Sequence, residues 1–198
     1  MIIPISNKIL DEFSLKNHQY LPSPIYYDLK SGEQEYRLYS YLSTFFTNVT
    51  ILDIGTLNGR SAVALSHNET NTVLSYDIED HVKNPNHSLY SKKNIRFNIK
   101  NVLEDLNEEL IKKTKIIMID IDHYGSVERE ILDKLKELNF SGLILLDDIT
   151  KHPDPKINRC MKTLWDSIQE TKYDFTQYGH WSGTGVIVMN DTITFSFC

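Results

Sequence analysis

The sequence has little of what marks several large protein classes. Its two cysteines, Cys160 and Cys198, cannot build a disulfide framework or a zinc site. No apolar run has the length of a membrane span, and the first residues lack the charged-then-apolar pattern of a secretion signal. We therefore expect a cytoplasmic setting without a membrane partner. With 21 basic residues against 27 acidic ones and a net charge of −6, a nucleic-acid partner is not expected either.

What the chain does contain is an alternation of strand-like and helix-like segments. Short apolar runs rich in β-branched residues predict strands at 49–54, 72–77, 95–99, 115–120, 142–147, 173–178 and 185–189. Apolar residues at helical spacing predict helices between them, including 33–46, 102–112, 126–138 and 155–168. This order predicts an α/β fold: a Rossmann-like, doubly wound, mostly parallel seven-stranded sheet with helices on both faces. The last two strands lack a crossover helix between them, which predicts one antiparallel strand near the C-terminus.

The length of 198 residues fits a single domain, and no internal repeat is apparent. We expect residues 31–190 to form its core and residues 1–30 to form an N-terminal extension with a short helix near 8–13. Pro22 and Pro24 interrupt regular structure in that extension. The polar stretch 79–93, which contains Pro85, is predicted to be a loop or a short helix.

Residues 51–61 predict a strand, a tight turn bracketed by Gly55 and Gly59, and the start of a helix. Backbone N–H groups at such a helix start can face a polar ligand. Asp53, at the strand end, would repel a phosphate and attract an ammonium group or ribose hydroxyls. The spacing G-x-x-x-G also differs from the G-x-G-x-x-G of dinucleotide binders, and no G-x-x-x-x-G-K-[ST] phosphate loop occurs.

Polar side chains follow most of the predicted strands, where ligands of open parallel sheets bind. They are Asp53, Asp77, Asn101, Asp120, Asp147 and Asp148. Each alone is explained as well by a turn or a helix cap, but together at one edge they favour a ligand site. The position of Asp77 after the second strand suits an acid that meets ribose hydroxyls, although beside Glu79 and Asp80 it could equally be a solvated turn acid.

Asp120, Asp147 and Asp148 follow two strands that we expect to be neighbours. Two carboxylates about 4 Å apart repel by about 4 kcal/mol at an effective dielectric constant of 20. Three converging carboxylates therefore need protonation, separation or a cation, and their oxygens suit Mg²⁺. Alternatively, one of the adjacent pair caps the turn before Pro153 while the other faces solvent.

His123 lies three residues after Asp120, in the segment Asp-Ile-Asp-His. A histidine ordinarily titrates near neutrality, so His123 is a candidate general base, although it could also be a metal ligand or a plain loop residue. His152 and His180 lie near predicted strand ends and could contact a substrate. Further candidates for substrate contact are Tyr124, Tyr178 and Trp181, although aromatic residues in such places serve packing as often as recognition.

Three segments resemble a known family. Residues 53–61, Asp-Ile-Gly-Thr-Leu-Asn-Gly-Arg-Ser, resemble the first motif of class I S-adenosylmethionine-dependent methyltransferases. The variant with Gly-Thr and then Gly-x-Ser is typical of the metal-dependent O-methyltransferases of the catechol, caffeoyl-CoA and macrolide-sugar types. Residues 119–123 resemble the fourth motif of that group, and residues 146–149 resemble its second metal-binding segment. The resemblance extends from about Gly32 to Met189.

The resemblance implies S-adenosylmethionine as cofactor and a divalent cation such as Mg²⁺ held by Asp120, Asp147 and Asp148. It implies a cofactor site with the glycine turn under the methionine part, Asp77 at the ribose, and Asn101 and Val102 beside the adenine. The full implied set of cofactor residues is Asp53, Gly55, Thr56, Leu57, Asn58, Gly59, Ser61, Asp77, Ile78, Asn101, Val102 and Asp120.

His123 stands where catechol-type members have a lysine base and sugar-modifying members have a histidine. The resemblance therefore implies methylation of a hydroxyl on a sugar, polyol or other small-molecule acceptor, rather than on a flat aromatic. The N-terminal region differs from the family, in which that region often shapes selectivity and dimer contacts, and a homodimer is a further expectation.

Other functions remain open at this point. A methyltransferase of the same fold could act without metal or on nitrogen, and loss of activity on chelation would separate these. A non-catalytic cofactor-binding protein would bind the cofactor without turnover. A receiver-type signalling domain also has an acidic pair at its strand ends, but it lacks the glycine turn after the first strand.

Overall fold

The structure, a computed structural model, describes residues 1–14, 29–81 and 92–198. The predicted breaks at Pro22, Pro24 and Pro85 lie outside these ranges. The strands are β1 Ile2–Ile5, β2 Thr50–Ile54, β3 Thr72–Asp77, β4 Ile95–Ile99, β5 Thr114–Ile119, β6 Gly142–Asp147, β7 Thr171–Asp174, β8 Thr184–Met189 and β9 Thr194–Phe197. The α-helices are α1 Asn7–Leu10, α2 Tyr36–Ser43, α3 Arg60–Leu65, α4 Glu108–Lys113, α5 Ser126–Glu137 and α6 Pro155–Ser167; short 3₁₀ turns cover Asp11–Phe13 and Val102–Glu104.

Seven strands form the main sheet in the order β4-β3-β2-β5-β6-β8-β7. The pairs from β4 to β6 are parallel, whereas β8 is antiparallel to both β6 and β7. This confirms the predicted Rossmann-like sheet with one antiparallel strand near the C-terminus. The order of the strands reverses between β2 and β5, which places a crevice beyond their carboxyl ends.

Successive side chains of the central strands point to opposite faces of the sheet. On β5, Ile116 and Met118 join the cluster that packs under α2 and α3, whereas Ile117 and Ile119 join the cluster under α5 and α6. Because both faces are covered, residues 116–119 of β5 and 143–146 of β6 are apolar without interruption, as in other parallel sheets. Among the residues that the structure describes, no helix is both long and apolar enough to cross a membrane.

Two strands were not predicted from the sequence. β1 and β9 pair in parallel to form a separate two-stranded sheet. Ile3 and Ile5 of β1 are fully buried and pack in the same cluster as α2 and α3. The first residues, expected to form an extension, therefore contribute to the core. Each of these strands has only four residues, and Pro4 interrupts the pattern, which is tolerated because such short strands can lie at a sheet edge.

Several predicted boundaries also differ, for local reasons. β7 ends at Asp174 rather than near residue 178, because the Asp174 carboxylate accepts a hydrogen bond from Thr176 N at 2.9 Å and starts a turn. The predicted helix 102–112 is interrupted because the Asn107 side chain accepts from Leu110 N at 3.0 Å and begins α4 there. α2 covers only Tyr36–Ser43 and is therefore shorter than the helix predicted over 33–46.

Candidate functional site

The candidate site lies at the carboxyl ends of β2, β3, β5 and β6. β8 runs in the opposite direction, and Thr184 at its start pairs with Asp147 at the end of β6, so the loop before β8 reaches the same edge. The site has two halves. The glycine turn, residues 55–59, follows β2. The acidic cluster, defined as Glu35, Asp120, Asp147 and Asp148, lies beyond β5 and β6.

The glycine turn contacts the acidic half directly at Gly55. This residue has a φ of +105°, and a Cβ added to it would lie 1.7 Å from the backbone oxygen of Asp120. Asp120 N in turn donates to Ile54 O at 2.9 Å. Only glycine allows this close approach of the two backbones. The position of the turn and that of Asp120 are therefore coupled.

Asp53 braces the turn from inside. Its fully buried carboxylate accepts a hydrogen bond from Ser75 Oγ at 2.5 Å, and Ser75 Oγ lies 2.6 Å from Thr56 Oγ1 in the turn. Burial raises the pKa of Asp53 to about 6, although hydrogen bonds from Ser75 and Ser61 oppose this shift. Within the described ranges the other carboxylate oxygen, Oδ1, has no hydrogen-bond partner.

Asp77 holds the outer side of the turn. Its Oδ2 accepts from Leu57 N at 2.9 Å, and its Oδ1 accepts from Glu79 N at 3.1 Å. Each carboxylate oxygen can accept a second bond, so Asp77 can still bind ligand hydroxyls. Leu57 and Ile78 expose 58% and 74% of their surface beside it, and together these residues offer a carboxylate between two apolar side chains.

Asn101 and Val102 follow β4, the edge strand that pairs with β3. The Asn101 side chain accepts from Leu103 N at 3.0 Å and thereby caps the 3₁₀ turn, while Val102 is 3% exposed in the core. The other predicted residues of this half, Asn58, Gly59 and Ser61, lie in the turn or at the start of α3. The predicted cofactor residues from β2, the glycine turn and the end of β3 thus lie close together. Asn101 and Val102 instead have a helix-capping role and a core position, respectively.

The acidic cluster is crowded and mostly buried. Asp147 and Asp148 are 6% and 5% exposed, and Glu35, just before α2, is 6% exposed. Burial, followed by the charge of Asp147, raises the pKa of Glu35 to about 8. Partial loss of hydration, followed by the charges of Asp147, Glu35 and Asp148, raises the pKa of Asp120 well above its usual range. Asp120 nevertheless exposes 38% of its side chain, so a ligand can reach it.

Three histidines surround these carboxylates. His123 Nε2 lies 3.3 Å from Asp120 Oδ1, and its Nδ1 lies 3.4 Å from Asp148 Oδ2. His152 Nε2 is 3.8 Å from the same Asp148 oxygen, and its ring stacks on that of His123. His180 Nδ1 is 3.6 Å from Asp147 Oδ2. Burial lowers the pKa of His180, but the contact with Asp147 and the charges of Glu35 and Asp148 outweigh burial and raise it.

The donor atoms of this half fit a divalent cation. Ligand atoms of Asp147, Asp148 and His180 all lie within 4.8 Å of one another. Asp147 Oδ1 is buried without a hydrogen-bond partner in the described part of the chain. Buried carboxylates without such partners are stabilised by a positive ion. Asp120, predicted as a third metal ligand, lies beside this group of three but is not one of its members.

The predicted substrate residues divide into two groups. Tyr124 and Trp181 are each 45% exposed beside His123 and His180, and the Trp181 ring contacts that of His180 edge-on at 5.3 Å. His152 lies at Asp148, as described. Tyr178 is 9% exposed and belongs to the core cluster under α2 and α3, where its ring contacts that of the fully buried Phe175 edge-on at 5.9 Å, which favours a packing role.

Glu35 was not identified from the sequence, and His180 was considered only as a residue that could contact substrate. Both follow from topology. A helix that precedes a parallel strand runs against it, so the residue that starts α2 lies at the carboxyl edge. A residue before an antiparallel strand reaches the same edge, which is the case for His180.

No protein-family model matches the chain, and no curated protein matches it. Several solved structures are similar. The O-methyltransferase TomG from Streptomyces achromogenes, in complex with S-adenosylmethionine, is 13% identical with a TM-score of 0.55; the alignment covers 93% of this chain and 91% of TomG. An O-methyltransferase from Bacillus cereus, in complex with S-adenosylhomocysteine, is 15% identical with a TM-score of 0.54, covering 93% and 92%.

The methyltransferase PaMTH1 from Podospora anserina, bound to S-adenosylhomocysteine, is 14% identical with a TM-score of 0.54, and the alignment covers 93% of this chain and 88% of PaMTH1. At such identities the likeness concerns the fold. This chain therefore has the Rossmann-like fold of these methyltransferases, and its activity has to be argued from its own residues.

Proposed function

We propose that this protein is an S-adenosylmethionine-dependent O-methyltransferase that methylates a hydroxyl group of a sugar, polyol or other small molecule with the help of a divalent cation. One observation carries the proposal. A glycine turn suited to a nucleoside ligand and a carboxylate cluster suited to a cation meet in backbone contact, at Gly55 and Asp120. Donor and acceptor of a methyl group need such adjoining sites, because transfer requires the reacting atoms to be held near attack distance.

In the cofactor half, the chain's own groups would act by positioning. Asp77 would accept hydrogen bonds from the ribose hydroxyls, and the exposed side chains of Leu57 and Ile78 would cover apolar parts of the ligand. The turn, braced by Asp53, would lie under the methionine portion. S-adenosylmethionine, when bound there, supplies an electrophilic methyl group on sulfur.

In the acidic half, Asp147 and Asp148 would hold the cation, with Asp120 contributing directly or through water. A divalent ion held by these residues would supply a Lewis acid that lowers the pKa of the acceptor hydroxyl. His123 would accept the hydroxyl proton at Nε2, since Nδ1 is buried and faces Asp148. The carboxylates of Asp120 and Asp148 would stabilise the resulting imidazolium.

The surroundings support a neutral acceptor with several hydroxyls. Asp147 and Asp148 would balance the two charges of the cation, so the site would hold no excess positive charge to attract an anionic acceptor. Tyr124 and Trp181, both half exposed at the rim, offer apolar ring faces that suit the C–H surface of a sugar or polyol.

Calorimetric titration with S-adenosylhomocysteine tests the cofactor half first. We expect binding by the wild type, a loss of about tenfold or more in Asp77→Asn, and little change in Glu79→Gln. The Glu79 variant removes a neighbouring carboxylate that holds no part of the turn. If the wild type does not bind, the methyltransferase function is refuted.

An acceptor screen then separates the alternatives. Methyl transfer to hydroxyl acceptors that stops on chelation and resumes on adding cation would support the proposal. Transfer that survives chelation would favour a metal-independent enzyme, and transfer to amines an N-methyltransferase. Cofactor binding without turnover on any acceptor would favour a non-catalytic binding protein.

A further inference from the structure

We propose that His180 is a direct nitrogen ligand of the cation, together with Asp147 and Asp148, and that the site consequently prefers a first-row transition ion such as Mn²⁺ or Co²⁺ to Mg²⁺. This inference rests on the cation site of the proposed function, and it names the ligand set and the kind of ion. It differs from the sequence prediction, in which all three ligands were carboxylates.

The geometry of the three residues carries the inference. Their ligand atoms lie within 4.8 Å of one another, a spread that one central ion can bridge. His180 Nδ1 lies 3.6 Å from Asp147 Oδ2, which is too long for a hydrogen bond, and two ligand atoms at about 2.1–2.2 Å from an ion commonly lie at about 3 Å from each other. If His180 and Asp147 moved slightly closer around an ion, their long direct contact would be replaced by two bonds to the ion.

Hydrogen bonds hold His180 in place beside β6. His180 N donates to Thr184 Oγ1 at 2.8 Å, and Ser182 Oγ lies 2.5 Å from His180 Nδ1. The loop after β6 is tied to the same segment, because Ile149 N donates to Gly183 O at 3.2 Å. The backbone bond fixes the segment, whereas the Ser182 hydroxyl contacts Nδ1 itself, so ligation through Nδ1 requires this hydroxyl to turn away from the ring.

An independent observation points to a ligand at this place. Asp147 Oδ1 and Glu35 Oε2 are both buried and have no hydrogen-bond partner among the residues described. Moreover, in those parts of the chain the ion-pair contacts of Asp120, Asp147 and Asp148 are all with histidines, not with lysine or arginine. Within residues 1–14, 29–81 and 92–198, these carboxylates therefore have no lysine or arginine as an ion-pair partner.

The chemistry of the donors selects the kind of ion. Mg²⁺ prefers oxygen ligands in near-ideal octahedral geometry and keeps several waters. An imidazole nitrogen instead favours transition ions, whose affinity for mixed nitrogen and oxygen sites rises from Mn²⁺ through Co²⁺. One histidine with two carboxylates therefore shifts the preference away from Mg²⁺.

Electron paramagnetic resonance with Mn²⁺ tests the ligand directly, without turnover. Mn²⁺ is titrated into metal-free protein, and electron spin echo modulation reports ¹⁴N bound to the ion. We expect ¹⁴N modulation in the wild type, its loss in His180→Asn with at least a tenfold weaker Mn²⁺ affinity, and a much smaller change in Mg²⁺ affinity. His67→Asn, an exposed histidine beyond α3, is the matched control and should behave as wild type.

Three results would overturn the inference: no ¹⁴N modulation in the wild type, tighter binding of Mg²⁺ than of Mn²⁺, or modulation that persists in His180→Asn and disappears in His123→Asn or His152→Asn. Circular dichroism of each variant shows whether it is folded. Titration with S-adenosylhomocysteine distinguishes failure of the proposed ligand set from failure of the proposed function. Nitrogen-ligated Mn²⁺ without cofactor binding supports the ligand set while refuting the proposed function, and cofactor binding with oxygen-only Mn²⁺ refutes the ligand set alone.

Discussion

At the residue scale, His123 is the side chain on which the proposed proton transfer depends. Its ring lies between Asp120 and Asp148, at 3.3 and 3.4 Å from their carboxylate oxygens. We expect His123→Ala to lower kcat about 10²- to 10⁴-fold, the usual contribution of a general base. Affinity for S-adenosylhomocysteine, measured by calorimetry, should stay unchanged. An equal loss of turnover and cofactor affinity would contradict the role as base.

A second prediction at the residue scale concerns Gly55 and the stability of the fold. Alanine at Gly55 would place its Cβ 1.7 Å from Asp120 O at a φ of +105°, so β2 and β5 would have to separate. We expect Gly55→Ala to lower the free energy of unfolding by about 3 kcal/mol or more. Gly125→Ala is the control, because its φ is +79° but its nearest contact is 3.3 Å, and about 1–2 kcal/mol is expected. Similar losses in urea denaturation of the two variants would contradict the explanation by backbone contact.

At the scale of elements, β1 is a test of whether the first residues belong to the core. Ile5 is fully buried against the cluster under α2 and α3, whereas Ile2 of the same strand is 69% exposed. We expect Ile5→Ala to lower the free energy of unfolding by about 2–4 kcal/mol and Ile2→Ala by no more than about 0.5 kcal/mol. Denaturant titrations measure both, and a small effect at Ile5 would show that β1 contributes little.

The elements that were predicted share a strong local signal. Residues 116–119 of β5 and 143–146 of β6 are continuous apolar runs because both faces of the sheet are covered, and this signal can be recognised without knowing the neighbouring strands. β1 is apolar but has only four residues and contains Pro4, β9 is equally short, and their pairing joins segments that are far apart in the chain. Such distant pairing is set by tertiary contacts, and no periodicity within either segment encodes it.

The site was predictable to the extent that it follows from parallel topology. Asp53, Asp77, Asp120, Asp147 and Asp148 lie at one edge, because carboxyl ends of parallel strands coincide. Glu35 and His180 reach that edge from a helix start and from an antiparallel loop, so their positions required the arrangement of α2 and β8. Tyr178 shows the converse, because its position near the last strands did not reveal that its ring packs on the buried Phe175.

At the scale of the whole molecule, the acidic cluster links stability to pH and to cations. Glu35 ordinarily titrates near 4.5, but burial and the charge of Asp147 raise its pKa to about 8 in the folded protein. Between these values the folded state holds a proton that the unfolded state has lost, so stability falls as pH rises through this window. The raised pKa values of Asp53 and His180 act in the same direction. A bound cation would oppose this loss by neutralising the carboxylates.

We therefore expect the metal-free protein to have a lower Tm at pH 8 than at pH 6. The loss contributed by Glu35 is at most about 1.4 kcal/mol per pH unit, the value of one proton. Glu35→Gln should flatten this dependence, whereas Glu33→Gln, an exposed acid two positions earlier, should leave it intact. Added Mn²⁺ should raise Tm more at pH 8 than at pH 6, since deprotonated ligands bind metal more tightly. Calorimetric unfolding at both pH values measures these effects, and a Tm that rises toward pH 8 without metal would contradict the burial of a protonated Glu35.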